Sequence, residues 1–171
     1  FITAALKSTD ERIRDDRPSS RAFLVGALLW PQVAQRWQAL QAGGEKPMPA
    51  LLTAMDDVLD AQRERLAIPR RYDGMMKEVW GLQPRFEQRG GQRPFRLLEH
   101  PRFRAAYDFL LLRAESGEID AELAEWWTRF QDAGDEERST MLRADSGPKP
   151  RRRRKRRTSG DSGAASEAPP A

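Results

Sequence analysis

The apolar residues of this chain recur mainly at intervals of three and four positions, the spacing that aligns side chains along one face of an α-helix. The last strong stripe, for example, consists of Ile119, Leu123, Trp126, Trp127 and Phe130. Nearly every segment shows this helical spacing and not the alternation typical of strands. The pattern therefore predicts an all-α fold, an irregular helical bundle of about six to eight helices.

Serine, proline and glycine mark the expected helix ends. Ser19 or Ser20 is predicted to cap a helix, because its hydroxyl oxygen can accept from the free amides of the first turn. Pro31 lacks an amide proton and should bend or break that helix, which should end at Gly43 and Gly44. Further helices are predicted to begin near Pro47, Pro49, Pro69, Pro94 and Pro101, with a bend at Gly81 and Pro84.

The same spacing predicts which residues face the core. These are Phe1, Ala5, Leu6, Thr9 and Ile13; Phe23, Leu24, Ala27, Leu28, Trp30, Val33 and Trp37; Leu51, Leu52, Met55, Val58, Leu59 and Leu66; Tyr72, Met75, Met76, Val79 and Trp80; and Phe103, Ala106, Tyr107, Leu110 and Leu111. Their number is sufficient to build one ordinary domain.

The composition changes at about Asp145 to proline, serine, glycine, alanine and a run of arginines. Such a segment cannot bury enough apolar surface to offset the entropy lost on ordering it, so we expect it to be disordered when free. The sequence thus predicts two parts: a helical region over residues 1–144 and a disordered arginine-rich tail over residues 145–171.

Charge is distributed unevenly along the chain. The tail holds 8 basic and 3 acidic residues, whereas residues 1–144 hold 22 and 23. Inside the helical region, residues 63–104 carry 11 basic and 5 acidic residues, and residues 105–144 carry 4 and 10. Basic charge is therefore concentrated in the middle of the fold and in the tail, which indicates a polyanionic partner.

Two sets of basic residues are candidate RNA contacts. The tail set is Arg151, Arg152, Arg153, Arg154, Lys155, Arg156 and Arg157. The helical set is Arg70, Arg71, Arg85, Arg89, Arg93, Arg96, Arg102 and Arg104. Aromatic residues lie close to the helical set, and exposed aromatic rings can stack with the bases of a single strand. The alternative is that these aromatics, Tyr72, Phe86, Phe95 and Phe103, belong to the core.

The sequence contains no catalytic constellation. His100 is the only histidine and there is no cysteine, so neither a histidine-based triad nor a thiolate metal site can form. The nearest carboxylate cluster is Asp56, Asp57 and Asp60, which we interpret as a solvated helix face and not a metal site. We therefore expect no metal and no cofactor in this chain, no membrane span, and a reducing, cytoplasmic setting.

Several segments resemble the C-terminal half of bacterial poly(A) polymerases. They are Leu66 to Arg71, Val79 to Gln83, the long segment from Leu97 to Leu110, and Trp126 to Gln131. The arginine run occupies the position of that family's basic terminus. The resemblance implies the RNA-binding part of a polynucleotide adenylyltransferase, an enzyme that adds AMP from ATP to RNA 3′ ends and so promotes mRNA decay.

The resemblance also places ATP and magnesium in an N-terminal catalytic head that this chain lacks. Since the chain begins at Phe1 without an initiator methionine, we expect it to be a fragment or a processed product, inactive alone. Its expected partners are single-stranded RNA 3′ ends and RNA-decay proteins. Two alternatives remain: a part of the related enzymes that add CCA to transfer RNA, and a protein-interaction module of an RNA-processing assembly.

Overall fold

The computed structural model describes residues 1–14, 20–63 and 65–145, without the side chains of residues 11–13 and 143–145. Within these ranges the secondary structure is entirely helical, which confirms the predicted fold class. The helices are α1 (Ile2–Arg14), α2 (Arg21–Ala42), α3 (Pro47–Arg63), α4 (Asp73–Phe86), α5 (Arg93–Leu98), α6 (Phe103–Glu115), α7 (Ala121–Asp132) and α8 (Asp135–Asp145). A short 3₁₀ turn, Arg70–Tyr72, precedes α4. The predicted tail beyond Asp145 lies outside the described residues.

Several helix ends follow the predicted signals. Ser20 caps α2, and its Oγ accepts a hydrogen bond from the amide of Phe23 at 3.3 Å. The helix ends at Ala42, and Gly44 then adopts a φ of 95°, a conformation that glycine tolerates far better than other residues. Pro47 is the first residue of α3, where its missing amide proton costs little.

The break expected at Pro31 is wrong, because α2 continues through this residue to Ala42. Trp30 and Val33 are fully buried on either side of it, whereas Pro31 itself is exposed. Burial of these large side chains keeps the backbone helical despite one missing hydrogen bond. In the same way, α4 continues through Gly81 and Pro84 as far as Phe86.

The buried side chains form two hydrophobic clusters. The first lies among α1, α2, α3, α4 and α6, with Trp30, Leu51, Met55 and Trp80 near its centre and Phe109 contacting Trp30. The second lies among the end of α4 and helices α5 to α8. Its largest members are Phe86, Phe103, Tyr107, Trp127 and Phe130. Helices α4 and α6 contribute to both clusters and therefore join them.

Five leucines that we assigned to the core are exposed: Leu6, Leu28, Leu52, Leu66 and Leu111. Four of them directly follow a buried residue, as Leu52 follows Leu51. A helix turns by about 100° per residue, so the side chain after a buried one points away from the core. Leu66 lies beyond the end of α3.

Helix α8 was not predicted from the sequence. It begins directly after Gly134, with three acidic residues, Asp135, Glu136 and Glu137, in its first turn. Acidic side chains stabilise a helix N-terminus through the helix dipole, and this was the available signal. Met141 is buried and attaches α8 to the second cluster.

Candidate nucleic-acid interface

The helical arginines predicted to contact RNA line two grooves and one pocket or belong to the 3₁₀ turn before α4. Arg85, Arg93 and Arg96 line one groove, with Arg89 in an adjoining one. Arg102 and Arg104 line a different pocket. Arg70 and Arg71 form part of the 3₁₀ turn before α4. The tail residues Arg151 to Arg157 lie outside the described residues.

The arginine groove, lined by Arg85, Arg93 and Arg96, has a volume of about 270 Å³. Its apolar lining comes from Met48 at the start of α3, Pro84 in α4 and Leu97 in α5; Gln88 completes it. The groove thus combines three exposed guanidinium groups with an apolar surface. This is the combination of cations and apolar area that a single-stranded nucleic acid needs.

Local sequence explains how the three guanidinium groups converge. Arg85 occupies the last turn of α4, where a cation also interacts favourably with the helix dipole. Arg93 and Arg96 are three residues apart on α5 and therefore lie on neighbouring positions of one helix face. The buried residues Pro94 and Leu97 hold α5 against the second cluster.

The end of α4 is held by α7. Phe86 is fully buried and its ring meets that of Trp127 edge to face, with centroids 5.0 Å apart. The indole Nε1 of Trp127 also donates a hydrogen bond of 2.8 Å to the carbonyl oxygen of Phe86. That carbonyl belongs to the last turn, where the helix itself supplies no donor. Trp127 therefore fixes the backbone next to Arg85.

Positive charge in the groove is not balanced by ion pairs. Arg85, Arg93 and Arg96 form none with the carboxylates in the described part of the chain. Most other basic residues of the segment 63–104 do form such pairs. The pairs are Arg63 with Asp60 and Asp73, Lys77 with Asp56, Arg89 with Glu122, Arg102 with Glu78, and Arg104 with Asp108. Three of the six cations of this segment without an ion pair in the described ranges thus line the groove, and the other three are Arg65, Arg70 and Arg71.

Arg89 has a different environment from its neighbours. Its Nη1 lies 3.1 Å from Glu122 Oε1, and its guanidinium lies over the ring of Trp126 with 5.7 Å to the centroid. Both partners belong to α7. Arg89 therefore ties the loop after α4 to α7, while it lines the adjoining groove with Glu87, Gln88, Gly90 and Arg93.

The aromatic residues near these arginines are mainly part of the core. Phe86 is fully buried and Phe103 is 8% exposed, so neither ring can receive a base. Phe95 is half-buried against Phe130, with centroids 5.5 Å apart. Tyr72 is half-buried and carries Arg71 over its ring at 5.3 Å. The stacking role considered for Phe86 and Phe103 is therefore wrong, because helical spacing placed them inward.

The aspartates of α3 serve as ion-pair partners. Asp57 accepts from Arg36 of α2 at 2.7 Å, Asp56 pairs with Lys77 of α4, and Asp60 accepts from Arg63 at 2.6 Å. No group of three or more histidine, cysteine or acidic side chains in the described ranges is arranged to hold a metal ion. His100 lies just before α6, where its Nδ1 accepts from the amide of Arg102 at 3.1 Å.

Among residues 1–14, 20–63 and 65–145, none of the helices is long and apolar enough to cross a membrane.

Comparison with known proteins gives consistent matches. Poly(A) polymerase I of Salmonella typhi is 42% identical to this chain over 160 residues, which are 91% of the chain and 34% of the relative. The enzyme of Escherichia coli O157:H7 is 42% identical over 161 residues, with the same coverage. That of Haemophilus influenzae is 36% identical over 157 residues, 90% of the chain and 35% of the relative. The chain thus spans about a third of the length of these relatives.

The family described as polymerase A arginine-rich C-terminus matches residues 43–159. That range contains all eight helical arginines, the arginine groove and the run from Arg151 to Arg157. It covers more than half of the chain, and it confirms the resemblance identified from the sequence. This chain therefore belongs to the polymerase A arginine-rich C-terminus family.

Proposed function

We propose that this chain is the RNA-holding C-terminal part of an enzyme that adds AMP from ATP to RNA 3′ ends. The relatives named poly(A) polymerase I support this assignment. The adenylyl transfer itself, with ATP and magnesium, belongs in this proposal to a catalytic head elsewhere in the polypeptide. Residues 1–144 then form the RNA-binding helical region and residues 145–171 the basic tail.

The observation that carries the proposal is the arginine groove. A guanidinium group presents a planar fork of N–H donors that matches two oxygens of one phosphate, so each of the three arginines can hold a phosphate of the strand. The exposed side chain of Met48 and the half-buried ring of Pro84 provide a surface for a base without selecting its identity. Binding should consequently depend strongly on salt and weakly on base sequence.

The tail adds a second, less specific contact. Seven consecutive cations, Arg151 to Arg157, attract a phosphate backbone at long range and release its condensed counterions on contact. In this proposal the tail captures RNA and the groove guides the strand. The wider setting that we propose is cytoplasmic mRNA polyadenylation coupled to decay, with RNA-decay proteins as further partners.

The test compares two triple variants by affinity for single-stranded RNA over a range of salt concentrations. Arg85→Ala/Arg93→Ala/Arg96→Ala removes the groove cations. The control, Arg14→Ala/Arg21→Ala/Arg65→Ala, removes three exposed cations that do not line the groove. The groove variant should flatten the log–log salt slope by up to about 2, at ~0.7 per phosphate contact, and the control should change it little.

Equal effects of the two triple variants would mean that only the net charge matters, and the groove would lose its assigned role. Absence of RNA binding by the unaltered chain would contradict the proposal itself. In that case, partner capture that survives nuclease treatment would favour the protein-interaction module.

A further inference from the structure

A second pocket, with a volume of about 260 Å³, lies where α1, α2, α4 and α6 meet. Its lining includes Phe23, Met75, Pro101, Arg102, Arg104 and Asp108, none of which lines the arginine groove. The volume is just below the roughly 300–1,000 Å³ of typical small-molecule sites. The pocket is therefore large enough for one small ligand unit and too small for a folded partner.

Two guanidinium groups at this pocket each contact one carboxylate. Arg102 donates from Nε to Glu78 at 2.7 Å, and Arg104 Nη2 lies 3.1 Å from Asp108 Oδ1. Each guanidinium has five N–H donors, so each carboxylate occupies only part of the fork. The remaining donors of both arginines are available within the described part of the chain. Both side chains are exposed, Arg102 by 49% and Arg104 by 72%, so these donors are accessible to an anion.

The opposite wall of the pocket is apolar. Phe23 is half-buried and packs edge to face on Phe109, with ring centroids 5.9 Å apart, so its ring is held in place. Met75 is also half-buried and lines the same wall. A fixed aromatic ring beside a polarizable thioether is a suitable surface for a planar heterocycle.

The remaining N–H donors narrow the class of ligand. Arg102 is paired with Glu78 and Arg104 with Asp108, so these four groups together carry no net charge. The two guanidinium forks still offer several donors to the oxygens of one phosphate. We propose that this pocket binds one nucleotide unit, with its phosphate on Arg102 and Arg104 and its base against Phe23 and Met75.

The idea that one RNA strand occupies both this nucleotide pocket and the arginine groove rests on the proposed RNA function. Glu78, which holds Arg102, and Arg85 lie seven residues apart on α4 and therefore on the same helix face, about 10 Å apart along the axis. About three nucleotides cover that distance at the ~3.4 Å rise of a stacked, helical strand, and an extended single strand needs fewer. A short strand could thus occupy the groove and place one nucleotide in the pocket.

The experiment titrates the whole chain with adenosine monophosphate and follows backbone amide resonances. Shifts at Ser8, Thr9, Ser20 and Ala105, which line the pocket, report binding there separately from shifts at Gln88 and Leu97 of the groove. Arg104→Ala should weaken nucleotide binding at the pocket amides roughly tenfold, the value of one charged hydrogen bond. Arg14→Ala, a matched exposed arginine that lines neither site, should leave it unchanged.

Two simpler probes separate the contribution of the phosphate group from that of the nucleoside. Inorganic phosphate and adenosine should each shift the same amides more weakly than the mononucleotide does. Equal shifts with phosphate alone, or none with any probe, would overturn the nucleotide assignment. The pocket and the groove are tested separately. If no probe binds the pocket but the Arg85, Arg93 and Arg96 variant loses RNA binding, the proposed function is still supported.

Discussion

The indole Nε1 of Trp30 donates a hydrogen bond of 2.8 Å to Glu118 Oε2, although the two residues lie 88 positions apart. Glu118 also accepts from Arg113 Nε at 3.0 Å, and the guanidinium of Arg113 lies over the Trp30 ring, 5.0 Å from its centroid. Arg113 then reaches Gln83 of α4, which donates to the carbonyl of Ala106 at 3.1 Å. This polar chain joins the two hydrophobic clusters.

Glu118→Ala should destabilise the fold by about 2–3 kcal/mol, because it leaves two partners unsatisfied. The side chain of Arg113 is only 9% exposed, so its charge would remain largely desolvated without a carboxylate. The indole N–H of Trp30 would lose its acceptor as well. Urea unfolding measures the change as a lower midpoint.

The control for this prediction is Glu115→Ala. Glu115 is exposed at the end of α6 and is not a member of the polar chain. An exposed substitution of this kind should alter stability by less than about 0.5 kcal/mol. If both variants unfold at the same urea concentration, the polar chain does not contribute to stability in the way the geometry indicates.

Trp127→Phe should destabilise the protein by about 1–3 kcal/mol, because the buried carbonyl of Phe86 loses its hydrogen bond and the smaller ring leaves a cavity. The same change should weaken RNA binding at the groove, since Arg85 is the residue before Phe86. Calorimetric unfolding and RNA affinity are measured on the same sample.

Trp126→Phe is the matched control for that variant. Trp126 is half-buried, and its ring stacks on Phe130 with centroids 4.6 Å apart, a contact that phenylalanine can preserve. Its effect on both quantities should be smaller. A larger loss from Trp126→Phe would contradict the role given to the Trp127 hydrogen bond.

Sequence periodicity predicted the helices as far as α7, because each of them buries a face of its own residues. The Ser20 cap and the Pro47 start depend on neighbours within one turn, so they too could be predicted. The polar chain could not be predicted from the sequence. Gln83 and Arg113 are polar residues within helices, and only the approach of α4, α6 and Glu118 in three dimensions shows that they are buried.

The candidate site was predictable in composition but not in position. Counting charges located the excess of arginines between residues 63 and 104. It could not distinguish Arg102, which meets Glu78 from 24 positions away, from Arg96, which meets no carboxylate in the described part of the chain. Ion pairing between distant segments decides which arginines retain unbalanced charge, and it depends on the packing of α4 against the loop before α6.

Two glycine substitutions should have opposite effects on stability. A Cβ at Gly26 would lie 3.2 Å from Cγ of the buried Met76, where α2 packs closely on α4. Gly26→Ala should therefore destabilise the fold by about 1 kcal/mol despite the better helix propensity of alanine. A Cβ at Gly74, in the first turn of α4, would meet no atom within 4 Å.

Gly74→Ala should consequently stabilise the protein by up to about 1 kcal/mol through helix propensity and reduced freedom of the unfolded chain. Thermal unfolding of the two variants and of the unaltered chain measures the direction of both changes in stability. Stabilisation by Gly26→Ala would show that Met76 adjusts without cost and that the close approach of the two helices is not tight.

Truncation after Asp145 should reduce the salt dependence of RNA binding more than removal of the groove arginines does. It removes Lys149 and the seven cations from Arg151 to Arg157, while α8 keeps its full length. At ~0.7 per contact on single strands, the log–log slope should flatten by up to about 5, against about 2 for the groove variant. Residual binding by the truncated chain should then disappear when Arg85, Arg93 and Arg96 are also replaced. An unchanged slope after truncation would place the phosphate contacts entirely in the helical region and remove the tail from RNA capture.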